Sequence, residues 1–111
     1  MPTELVLLCD ADPSPQVIDE VAGRMFPGGA LFALGDRSVH QWVDVSGRPV
    51  LSVFTGRAVG TSIDADRAVA GGMAGFSRWV PMTVPFGDAT DGWALARAVA
   101  QAVGGKVAVP R

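Results

Sequence analysis

Two carboxylates, Asp10 and Asp12, follow the apolar run 5–9 near the start of the chain. A pair of acids at the end of a buried strand is one way in which enzymes hold a divalent cation or supply a general acid and a base. The alternative is structural, because Asp12 and Ser14 stand before an amphipathic segment and can satisfy free N–H groups at a helix N-terminus.

The Asp-Ala-Asp stretch resembles the nucleophile motif of haloacid-dehalogenase-type phosphatases, in which one Asp attacks phosphorus, the other acts as acid or base, and both lie near magnesium. The usual threonine after the second Asp is missing, since Ser14 stands one place further on, behind Pro13. The sole lysine, Lys106, is at the far end of the chain, so no lysine is placed to steady the transferred charge. We therefore favour the structural interpretation and expect no catalytic residue and no bound metal.

Other reactive side chains do not form a recognisable constellation. With one histidine, His40, and one cysteine, Cys9, the chain has no zinc-ligand spacing. Cys9 lies in an apolar run, which predicts a buried thiol, and the adjacent Asp10 disfavours the reactive thiolate. The glycine-rich stretch 71–75 lacks the pattern of a phosphate-binding loop. We expect no cofactor.

Composition narrows the classes of partner. The 111 residues are 49% hydrophobic and 18% charged, with a net charge of −2. The nine basic residues are scattered, which argues against a nucleic-acid surface. No apolar stretch reaches the length of a membrane span, and the N-terminus has no signal-peptide pattern. We expect one domain over 1–111, cytoplasmic, with apolar surface left for another chain or a second copy.

Periodicity predicts strands and helices in mixed order. Strands are predicted at 4–9, 30–34, 39–45, 50–55, 79–84 and 106–109, and helices at 15–26 and 93–103, with a short helix possible at 67–70. Pro81 moves its strand towards an edge or a bulge, and residues 88–91 supply caps for the last helix. The pattern predicts an α+β fold: a mainly antiparallel sheet with two principal helices on one face, ferredoxin-like or a similar sandwich.

One predicted strand places His40, Trp42 and Asp44 on the same face. The His and Asp are about 13 Å apart at roughly 3.3 Å per residue, too far for the aspartate to orient the imidazole. The three side chains instead suggest an aromatic anchor with polar flanks. An acidic surface could add to it and meet a basic cleft. The expected partner-binding residues are Asp36, His40, Trp42, Asp44, Asp64 and Asp66.

The C-terminal stretch 91–107 has an Ala-rich helix, a Gly104-Gly105 stop and a short closing strand. It resembles the end of small α+β immunity-type proteins encoded beside bacterial polymorphic toxins. The resemblance covers less than a fifth of the chain and carries no functional residue across. It implies a small cytoplasmic protein that binds and blocks one toxin without catalysis.

We therefore expect a non-enzymatic, immunity- or inhibitor-like protein that neutralises a partner by direct contact. The alternative is a small ligand-binding or enzymatic α+β dimer with a pocket near His40 and Trp42. Phe54, Trp79 and Met82 would complete the walls of that pocket. A third possibility is a homo-oligomeric structural protein.

Overall fold

The computed structural model describes residues 2–59, 75–85 and 89–110, in which seven strands and two helices are formed. The strands are β1 (Thr3–Cys9), β2 (Ala30–Leu34), β3 (Val39–Val43), β4 (Pro49–Phe54), β5 (Arg57–Ala58), β6 (Arg78–Val84) and β7 (Lys106–Ala108), and the helices are α1 (Pro15–Met25) and α2 (Thr90–Ala102). The short helix expected at 67–70 and most of the glycine-rich stretch 71–75 lie outside the described residues.

The described strands form one sheet in the order β2-β3-β4-β6-β1-β7, with β5 pairing beside β6. Every pairing is antiparallel, and β1 and β6 pair along seven residues, from Thr3 opposite Val84 to Cys9 opposite Arg78. The predicted α+β class with a mainly antiparallel sheet is confirmed. The sheet is larger than the four-stranded βαββαβ ferredoxin template, because several strands lie between the two helices in the chain.

β6 is an interior strand, so the expectation that Pro81 places it at an edge or a bulge is wrong. Pro81 stands opposite Val6 of β1. On the other side of β6, β4 pairs as far as Met82 and β5 pairs from Trp79. The ladder is therefore interrupted beside Pro81 within the described chain, and such an interruption is where a strand tolerates a residue without an N–H.

Both helices cover the same face of the sheet, as predicted. Their apolar residues recur every three or four positions, so each helix has one apolar stripe. α1 buries Ile18, Val21 and Ala22 there, and α2 buries residues between Leu95 and Ala100. The sheet contributes Leu5, Leu7, Cys9, Trp42, Val50, Leu51, Val53, Val80, Met82 and Val84 to this core.

The start of α1 and the end of α2 follow local signals in the sequence. The Ser14 hydroxyl accepts a hydrogen bond from the N–H of Val17 at 3.2 Å, and Pro15 is the first helical residue. After α2, Gly104 adopts a φ of +69°, which suits glycine. Gly105 then donates its N–H to the carbonyl of Ala100 at 2.8 Å, which closes the helix end.

Residues 88–91 were expected to cap α2, and Asp88 of that stretch lies outside the described chain. The residue before the helix is Ala89, and it makes no side-chain cap bond. Asp91 instead faces Arg48, with 2.9 Å between Oδ2 and Nη2. Neither helix of the described chain has the length and apolar character that a bilayer crossing requires.

Candidate partner-binding surface

Asp10 and Asp12 lie where β1 ends, and both are hydrogen-bonded to distant parts of the chain. Asp10 Oδ1 accepts from the backbone N–H of Ser77 at 3.1 Å and from its hydroxyl at 3.0 Å. Asp12 Oδ2 accepts from the N–H of Gly56 at 3.0 Å. The Arg78 guanidinium meets both Asp12 oxygens, with Nε 2.5 Å from Oδ1 and Nη2 3.3 Å from Oδ2. These contacts connect the end of β1 to Gly56, which follows β4, and to Ser77 and Arg78 at the start of β6.

This geometry makes the acidic pair an anchor. Ser14 caps α1, but Asp12 does not, so that part of the structural interpretation is wrong. The hydrogen bond from Arg78 holds the pKa of Asp12 below its ordinary value, against the opposing effect of burial and with help from the N–H of Gly56. Among the described residues, no group of three or more His, Cys, Asp or Glu side chains is placed to hold a metal.

Cys9 precedes this corner and is fully buried. Burial raises the pKa of the Cys9 thiol, and the negative charge of Asp12 adds to that effect. A thiol with a raised pKa and no solvent access is a poor nucleophile at neutral pH. The expectation of a buried free thiol is confirmed.

A cleft of about 90 Å³ lies beside His40, between the start of α1 and the end of β4. Its lining includes Asp12, Ile18 and Thr55. Pockets for organic ligands typically enclose about 300–1,000 Å³, so this one has room for a few water molecules. It does not match the pocket expected near His40 and Trp42.

The walls expected for that pocket do not converge beside His40, although Trp79 and Met82 both line a different pocket of about 200 Å³ next to Pro81. Of the expected walls, Phe54 borders the cleft with His40 at the end of β4, while the register of β3 and β4 places its side chain on the side of the sheet away from the helices. Trp42 and Met82 belong to the core beneath the helices. Trp79 packs with Val6, Leu8 and Ala108 in a separate cluster. The pocket composition predicted from the sequence is therefore wrong.

Trp42 cannot be the exposed aromatic anchor that the sequence suggested. It is 2% exposed and packs in the core, while His40, two residues earlier, is half-buried on the same helix-covered side of β3. His40 and Trp42 lie on the same side of β3, as the alternation predicted, but that side packs against the helices. Burial of the large indole removes apolar surface from water and so stabilises the arrangement in which the helices cover this face.

The acidic residues expected at the partner-binding surface differ in their position and their contacts. Asp36 is exposed in the turn between β2 and β3, with a φ of +56°. Asp44 is held inside the β3–β4 turn, where Oδ1 accepts from the Ser46 hydroxyl at 2.7 Å and from the N–H of Arg48 at 2.9 Å. These hydrogen bonds, the Ser46 hydroxyl first, lower the pKa of Asp44. Asp64 and Asp66 lie outside the described residues.

The side of the sheet away from the helices carries exposed apolar side chains that the sequence analysis did not single out. Phe32 is 50% exposed, Leu34 45% and Phe54 37%. Strand register places Leu34 opposite Val39 and Val39 opposite Phe54, in one row across β2, β3 and β4. Phe32 begins the next row. We call the surface formed by Phe32, Leu34, Val39 and Phe54 the β2–β4 apolar face.

The row beside the β2–β4 apolar face is polar from β3 onwards. Gln41 stands opposite Phe32 and donates from Nε2 to the Ser52 hydroxyl at 3.0 Å. Ser52 pairs in turn with Thr83, and Thr83 with Glu4. Ser52 is buried and Gln41 is half-buried, so this polar row bounds the β2–β4 apolar face on one side and is itself largely shielded from solvent.

The signal for this surface was present in β2. All five of its residues, 30–34, are apolar, and only one side of a sheet strand can face the helices. The side of β2 away from the helices therefore carries Phe32 and Leu34, which stay about half exposed, whereas the same side of β1 and β6 is buried in a cluster with Val59 and Phe76. Comparisons with protein-family models, with curated proteins and with solved structures each found no match to this chain.

Proposed function

We propose that this protein is a non-enzymatic binding protein that neutralises a partner protein by direct contact, in the manner of an immunity or inhibitor protein. The observation that carries the proposal is the β2–β4 apolar face. Single exposed apolar side chains are common on soluble proteins, but three large ones close together on the side of the sheet away from the helices are typical of an interaction site.

The candidate reactive groups are hydrogen-bonded within the protein or buried, which supports a binding role. Asp10 and Asp12 are hydrogen-bonded to backbone and side-chain donors, and Cys9 is buried. His40 borders a cleft with room for water but not for an organic substrate. The alternative of a ligand-binding or enzymatic pocket near His40 and Trp42 is therefore disfavoured.

The charge of the chain favours a basic partner. The net charge is −2, and Asp36 is exposed in the turn that follows Leu34 of the β2–β4 apolar face. An apolar contact with an acidic neighbour would suit a partner whose apolar patch adjoins basic side chains, such as the cleft of a toxin that acts on an anionic substrate. Complementary charge speeds association and orients the two surfaces.

Photo-crosslinking in the source cells provides the first test. A benzoylphenylalanine in place of Phe54 should form an adduct with one other protein, because this position lies on the β2–β4 apolar face. The matched control is the same residue at Val109, a large apolar side chain that is 44% exposed elsewhere. No adduct at position 54, or the same adducts at both positions, would contradict the proposal.

The purified partner then gives the decisive measurement. The wild-type protein should abolish the activity of the partner, and Phe54→Ser should weaken the binding roughly thirtyfold or more, as expected for an aromatic residue at an interface centre. Val109→Ser should bind as the wild type does. Full inhibition by Phe54→Ser would remove the β2–β4 apolar face from the function, and no inhibition by the wild type would refute the inhibitory role.

A further inference from the structure

The two edges of the described sheet differ in how they are protected. β7 is three residues long, begins with Lys106 and is followed by Pro110. A short strand, a lysine and a proline are devices that prevent another chain from pairing with an edge. β2 forms the other edge with five residues, 30–34, and has neither a charge nor a proline. Within the described residues no strand pairs with the outer side of β2, and four of its five residues are exposed.

We propose that β2 pairs with β2 of a second copy of this chain, antiparallel and about a two-fold axis at Phe32. In this register Phe32 meets Phe32 of the second copy, Ala30 meets Leu34, and Leu31 meets Ala33. Each flanking pair therefore joins a small side chain to a large one, while the central pair is aromatic, an arrangement that stabilises antiparallel strands. The sequence of β2 is thus complementary to itself, as a two-fold interface requires.

Charge and space agree with a second copy as the occupant. β2 contains no charged residue, so pairing two copies along this strand places no like charges opposite each other. On the helix side, an open groove of about 290 Å³ runs beside Leu31, lined by Pro15, Gln16 and Asp19 of α1. The helix therefore does not close this edge, and apolar side chains of the second copy can enter the groove.

A stable dimer needs to bury only a small part of the accessible surface of each chain. A stable interface takes about 800 Å² from each partner, roughly an eighth of the 6097 Å² accessible surface of this chain. The paired strand supplies backbone hydrogen bonds along about 17 Å, and the groove adds side-chain contacts. The dimer pairs the edges of the two β2 strands, so two β2–β4 apolar faces adjoin across the axis, with Phe32 of each copy at their junction and Phe54 away from it. The proposal is therefore independent of the identity of any inhibited partner.

Disulfide trapping tests the register. In Phe32→Cys the two thiols meet at the axis, with Cα atoms about 4.5–5.5 Å apart, which is within disulfide range. In Leu34→Cys they are four residues apart along the strands, about 14 Å, which no disulfide spans. With oxidised glutathione as oxidant, Phe32→Cys should form a covalent dimer, whereas Leu34→Cys and the wild type, with its buried Cys9, should not. Equal trapping of both variants, or none, would overturn the register.

Sedimentation equilibrium tests the association itself. The wild type should change with concentration from 11.5 kDa to twice that mass. Ala33→Lys places a charge at the exposed edge opposite Leu31 of the second copy and should weaken dimerisation about tenfold or more. Gln101→Lys, on an exposed position of α2, is the matched control and should dimerise as the wild type does. A wild type that stays monomeric overturns the inference, while inhibition of a partner by that monomer would leave the proposed function intact.

Discussion

Asp12→Asn distinguishes an anchoring acidic pair from a reactive or metal-binding one. Asparagine keeps the shape and an oxygen for the N–H of Gly56, but it removes the charge that faces Arg78. Asp12 is partly exposed, so solvent screens the interaction, and its loss should lower the free energy of unfolding by about 1 kcal/mol at neutral pH. A reactive or metal-binding pair would show the opposite effect. Neutralising one of two neighbouring carboxylates would relieve their repulsion and raise the free energy of unfolding.

The pH dependence adds a second constraint on Asp12. Its pKa is lowered in the folded protein, so its stabilising effect is complete above the unfolded-state pKa and is lost as the pH falls through the folded-state pKa. The difference between the wild type and Asp12→Asn should therefore be full at about pH 6 and shrink as the pH falls through the lowered folded-state pKa of Asp12.

Urea unfolding followed by tryptophan fluorescence measures both quantities, since the chain has three tryptophans. Glu20→Gln, an exposed change on α1 with the same loss of charge, is the matched control and should leave the free energy of unfolding nearly unchanged. Equal or greater stability of Asp12→Asn at neutral pH would refute the anchoring role. A rise in melting temperature with added magnesium, present in the wild type and absent in Asp12→Asn, would restore the metal-binding interpretation.

Two further predictions concern the core. A Cβ at Gly92 of α2 would lie 2.4 Å from Cγ2 of Val84 and 2.9 Å from the carbonyl oxygen of Val50, so Gly92→Ala should lower the free energy of unfolding by about 1–3 kcal/mol despite the better helix propensity of alanine. Val84→Ala in the same chain should recover part of this loss in urea titrations, and additive losses would contradict the steric explanation. Cys9 should react with iodoacetamide only as fast as the protein unfolds, because burial raises the pKa of its thiol and shields it. Rapid labelling of the native protein, measured by mass spectrometry, would contradict its assigned burial.

Much of the local structure was predictable because short-range signals determine it. Ser14 and Pro15 begin α1, and Gly104 ends α2, through bonds and dihedral angles that involve only neighbouring residues. The apolar run at 5–9 predicted a buried strand, and β1 lies in the interior of the sheet. The α+β class follows from the same patterns, since the six predicted strands and the two principal helices were found at or near their predicted positions, whereas the two-residue strand β5 was not predicted.

The candidate site was less predictable, because it depends on which surfaces the helices cover. Alternation in β3 separates His40 and Trp42 from Val39 and Gln41, but it does not say which set faces inward. The packing of α1 and α2 decided that question, burying Trp42 and leaving Phe32 of β2 exposed on the other side. An aromatic residue in a sequence is equally compatible with a core and with an interface.

The sequence by itself determined where the chain forms strands, helices and turns, and it determined that Asp10 and Asp12 stand together at the end of β1. Only the tertiary structure decided their role, because their partners Ser77 and Arg78 lie more than sixty residues away along the chain. The physical reason is that capping and periodicity act over a few residues, whereas ion pairs, strand neighbours and exposed faces depend on how distant segments pack.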